Sequence, residues 1–109
     1  MMTKLYGEIS NQLVASYMAR LVDRFYKILP LKEEGEVTLP RYLEGLMEEL
    51  LGFQRLSEDF NTEERFITLL SILQYMIDYC PGIKRTRTEV FRAIKILKDL
   101  QDKYAHEEV

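Results

Sequence analysis

The chain has 109 residues, a length that suits one domain, and 47% of them are hydrophobic, enough for a core of its own. Its single cysteine, Cys80, excludes an intramolecular disulfide and any thiol-based zinc framework, which favours a reducing compartment. The net charge of -3 conceals an uneven distribution: from Pro30 to Arg65 ten acidic residues stand against four basic ones, whereas from Gly82 to Tyr104 seven basic residues stand against three acidic ones. Such complementary regions suit internal packing, head-to-tail association or a charged partner.

The stretch from Thr3 to Leu29 contains no proline and predicts a long first helix with Gly7 as its one internal breaker. From Leu13 to Leu29 its apolar positions cover more than half the circumference, which calls for two neighbours. Leu5 and Ile9 fall off that arc, so the first turns must bend or pack elsewhere. Pro30 is a stop signal, and the run from Pro30 to Val37 reads as a solvated acidic loop. Its glutamates, Glu33, Glu34 and Glu36, lack the alternating ligand spacing of a calcium loop.

Thr38 as N-cap and Pro40 in the first turn predict a second helix over 39–56, with a broad apolar arc that includes Leu43, Leu46, Met47 and Leu50. Gly45 and Gly52 lie a heptad apart on one edge of that arc, with Glu49 between them. A glycine inside a helix costs roughly 1 kcal/mol relative to alanine, so two on one edge suggest close approach of another backbone.

The sequence from Ser57 to Asn61 reads as a linker. Asn61 and Glu64 have capping-box spacing and predict a third helix over 62–80, with Cys80 on its apolar arc. Between Phe66 and Cys80 the other side carries Thr68, Ser71, Gln74, Tyr75, Asp78 and Tyr79, among which Asp78 is the one charge. A solvated helix face usually displays more charge, so this side is expected to meet another helix or a second subunit. Pro81 and Gly82 stop the helix, and a fourth is expected over 88–104, capped by Thr86 or Thr88.

No catalytic set emerges. Cys80 falls among core positions and His106, the one histidine, in the tail. Glu44 and Glu48 are i,i+4 neighbours, but they face away from the apolar arc, and there is no Glu-x-x-His as in helical di-metal sites. A phosphate-binding glycine loop is absent too. Neither an enzyme, a metal nor a cofactor is therefore expected. Lys84, Arg85, Arg87 and Arg92 form the candidate anion-binding segment, since backbone amides at a helix start together with arginines can hold phosphate. Gly45, Glu49, Gly52, Thr68, Tyr75 and Tyr79 form the candidate protein interface, because tyrosine joins apolar area to a polar tip.

The sequence thus predicts one all-α domain over residues 1–109, an antiparallel bundle of four principal helices at about 3–29, 39–56, 62–80 and 88–104. The longest apolar run, Phe66 to Ile77, is too short and interrupted to span a bilayer, and no basic segment followed by an apolar run opens the chain. The expected function is a small cytoplasmic protein-protein interaction domain, a homodimer or the binder of another protein. The alternative is a regulator that binds nucleic acid or another polyanion through the basic segment.

Overall fold

The computed structural model describes residues 2–3, 7–35 and 37–106. Met2–Thr3 (β1) and Gly7–Glu8 (β2) pair antiparallel, with Met2 opposite Glu8 and Thr3 opposite Gly7. The first helix therefore does not begin near Thr3. Gly7 takes a left-handed φ of 71°, which closes a hairpin and breaks a right-handed helix. The expectation about Leu5 lies outside the described residues, while Ile9 packs half-buried against the core.

α1 spans Asn11–Tyr26, and the Ser10 side chain caps it by accepting from the Leu13 amide at 3.1 Å. It buries Val14, Ala15, Met18, Leu21, Val22 and Phe25. α2 spans Ile28–Glu33, so Pro30 does not stop the chain's helical course. It occupies the first turn of a new short helix, where its missing N–H has no intrahelical partner to lose. Gly35, with φ 64°, ends that segment, and Glu36 lies outside the described residues.

α3 spans Leu39–Leu56 as the pattern predicted, with Pro40 in its first turn. Thr38 is helical in backbone and makes no side-chain capping bond, so proline placement and the apolar arc carry the start of this helix. A single-turn helix, α4, occupies Glu58–Asn61 in the expected linker. Ser57, itself buried, caps it by accepting from the Asp59 amide, and Phe60 drops fully into the core.

α5 spans Glu64–Tyr79 with Glu63, not Asn61, at its N-cap. Cys80 closes it in the left-handed region at φ 42° and is exposed, contrary to its expected burial. α6 then runs over Ile83–His106, five residues earlier than the pattern suggested. Neither Thr86 nor Thr88 caps it. Thr86 donates to the Pro81 carbonyl and Thr88 to the Lys84 carbonyl, so both hydroxyls are spent on backbone behind them.

The described residues thus hold five helices longer than one turn, one single turn and one two-stranded ribbon: an all-α body. Its extents are 44 × 24 × 19 Å, and α6, at about 1.5 Å per residue, accounts for most of the long axis. α1 packs along α6 and α3 along α5. The core lies between them, and near Phe53 it becomes aromatic: Phe60 sits 4.7 Å from Phe53, 5.0 Å from Phe66 and 5.4 Å from Tyr104 between ring centroids. Among the described residues no helix is long and apolar enough to cross a membrane.

Candidate functional site

The outer side of α5 is open to solvent. Ser71, Gln74, Asp78 and Tyr79 are exposed and Thr68 half-buried, while Tyr75 is half-buried where Arg85 of the last helix lies over its ring. The polar groups on this side are largely satisfied within the helix itself. Thr68 donates to the Glu64 carbonyl, Ser71 to the Ile67 carbonyl, and Gln74 to Asp78 at 2.8 Å. Polar groups already bonded within their own helix lose less when water is removed. Ile67 adds exposed apolar area, and Tyr79, 72% exposed, stands with its ring 5.3 Å from that of Tyr75.

The basic segment lies beside this surface but does not form one patch. Arg85 and Arg92 both reach Glu89 at 3.3 Å, and Arg85 also lies over the Tyr75 ring at 5.5 Å. Glu89 is buried, with 5% of its side chain exposed, so the two arginines flank a carboxylate that is itself withdrawn from solvent. With Ser71, Ile72 and Tyr75 these three line a shallow recess of about 210 Å³. Arg87 instead meets Glu33, on α2, at 2.9 Å. Lys84 is exposed at the start of α6.

On α3, Gly45 and Gly52 are exposed, and a Cβ at either would meet nothing within 4 Å. Among the described residues no backbone therefore approaches them closely, and no packing within them explains the pair. Glu49, between them, accepts from the Tyr17 hydroxyl at 2.9 Å and from Arg24. Tyr42 donates to the Arg24 carbonyl at 2.7 Å, so this network ties α1 to α3. Burial, then the hydrogen bond to Glu49 and its charge, hold the Tyr17 phenol well above its ordinary pKa of 10.0.

The candidate interface therefore divides into two surfaces: Thr68, Tyr75 and Tyr79 on α5, and Gly45, Glu49 and Gly52 on α3. Beside the second lies a groove between α1 and α3, lined by Ile9, Leu13, Val14, Tyr17, Phe53 and Leu56, with Arg20 on its α1 side and Glu49 on its α3 side. The sequence did not reveal it, because Leu13 fits the apolar arc of α1 and yet stands 54% exposed. A second apolar cavity of about 230 Å³ lies where α2, α3 and α5 meet, with Ile28, Leu43 and Met76 in its wall and Cys80 at its edge. Among the described residues no group of three histidine, cysteine or acidic side chains is placed to hold a metal ion. Comparison with protein-family models, with curated proteins and with solved structures finds no match for this chain.

Proposed function

We propose that this chain is a small, non-catalytic, cytoplasmic protein-protein interaction domain that associates with itself, its four principal helices forming an antiparallel bundle. The arrangement is supported by pairings that run in opposite order along neighbouring helices. Tyr17 stacks on Phe53 while Tyr42 bonds Arg24, and Lys103 meets Glu63 while Arg85 covers Tyr75.

The observation that carries the interaction reading is the outer side of α5, a face with one charge from Phe66 to Tyr79, its hydroxyls bonded to its own backbone, and a tyrosine pair standing out from it. Dehydrating such a face sacrifices little, and tyrosines supply the contact area typical of interface centres. Light scattering on a size-exclusion column tests self-association: a mass of twice the 13.0 kDa chain, falling with dilution, is expected. A strict monomer at high concentration removes that part of the reading. The polyanion alternative has less support, because Arg85, Arg87 and Arg92 each already face a carboxylate.

A further inference from the structure

We propose that two copies of this chain pair through the groove between α1 and α3, around a two-fold axis running along the groove, with Arg20 of each copy set against Glu49 of the other. This inference rests on the self-association reading above and places the seam on α1 and α3, which leaves the outer side of α5 to a different protein partner.

The groove has the chemistry of a half-interface. Its volume is about 390 Å³, and Leu13, Val14, Phe53 and Leu56 give it an apolar lining. Leu13 continues the apolar series of α1 but stays 54% exposed. Covering it takes apolar area out of water, so this part of the surface gains from a second copy. On α3, beside the groove residues, Gly52 and Gly45 one heptad before it are exposed, and a Cβ at either would meet nothing within 4 Å. A facing backbone can come close there.

Charge identifies the occupant as a second copy. One rim of the groove carries a cation, Arg20 on α1, and the other an anion, Glu49 on α3. The two stand at the same height. Glu49 is held by Tyr17 on one side and Arg24 on the other, and Arg20 lies between those residues on the same face of α1, at i+3 from Tyr17 and i−4 from Arg24. A two-fold axis parallel to the groove turns one copy over onto the other without shifting it lengthwise, so each α1 rim meets the other copy's α3 rim. Arg20 then faces Glu49 twice, once on each side of the axis.

Within its own chain Arg20 lies 5.9 Å over the Tyr17 ring and has no carboxylate within ion-pair distance among the described residues. Glu49 stays 40% exposed at its side chain despite its two bonds. The surface is thus complementary to itself, as a two-fold contact requires. The apolar centre supplies affinity, and the rim charges set the register.

Sedimentation equilibrium on the full chain and its variants, with circular dichroism to confirm folding, tests the seam. Leu13→Asp and Arg20→Glu change exposed side chains, so helicity should persist while the dimer dissociation constant rises about tenfold or more. Tyr79→Ser, on the outer side of α5 and away from the groove's lining, should leave it unchanged. Glu49→Lys should weaken self-association in the same way, and an equimolar mixture of R20E and E49K chains should regain a dimer, since both rim pairs then have opposite signs. If E49K does not fold, L13D and R20E decide alone. A dimeric wild type whose L13D and R20E variants pair with unchanged affinity overturns the seam and leaves self-association standing. A monomeric wild type overturns both.

Discussion

Cys80 holds the turn between α5 and α6 in a conformation that side-chain-bearing residues resist, with φ 42° and ψ 58°. A left-handed residue costs roughly 1–2 kcal/mol when it carries a Cβ, and part of any relief is returned through a freer unfolded chain. Cys80→Gly is therefore expected to stabilise the fold by on the order of 0.5–1 kcal/mol, read as a higher melting temperature. At the opposite extreme, Phe60 is fully buried among Phe53, Phe66 and Tyr104. Phe60→Ala should lose about 3–5 kcal/mol in urea unfolding, a large share of a small domain's stability. Tyr17 sets an alkaline limit. The folded state prefers its neutral phenol, so its folded pKa lies above the unfolded 10.0. Its contribution is complete below that pH and is lost as pH rises beyond it. An ultraviolet titration should show a late-ionising phenol that Tyr17→Phe removes, with stability declining over the same alkaline range.

At the scale of the element, the glycines of α3 separate helix propensity from association. With no atom within 4 Å of a Cβ at Gly45 or Gly52, alanine fits the monomer at either site. Each substitution should stabilise the isolated chain by about 0.5–1 kcal/mol, measured by denaturant unfolding at low concentration. α3 was the element most legible in sequence, because proline placement and a clean apolar arc agree on one start and one end. α1, α4 and α6 were less so. The hairpin closed by Gly7 competes with a helix through the same residues. The Ser57 cap creates one turn of helix in a segment with no periodicity to read. The threonines that resemble caps at 86 and 88 are used inside the helix, bonding backward to Pro81 and Lys84.

For the whole molecule, the contrast between the acidic and basic regions is partly spent inside the chain: Arg87 reaches Glu33 across the fold, and Lys103 reaches Glu63. Arg85 and Arg92 flank Glu89 beside α5 while Arg87 lies beside α2, so these arginines do not form one patch. DNA and RNA retention at low salt should accordingly be weak. Retention that falls steeply with added salt, as phosphate contacts demand, would restore the polyanion reading. What the sequence by itself determined was the helical class, the apolar faces of α3 and α5, and the neutral strip holding Tyr75 and Tyr79, because periodicity is a local property of the backbone. Only the tertiary structure decided that Leu13 stays 54% exposed, that Glu89 sits buried between two arginines, and that Arg20 and Glu49 line one groove. Each depends on which helix lies beside which and at what height, and that is set by packing between segments far apart in the chain.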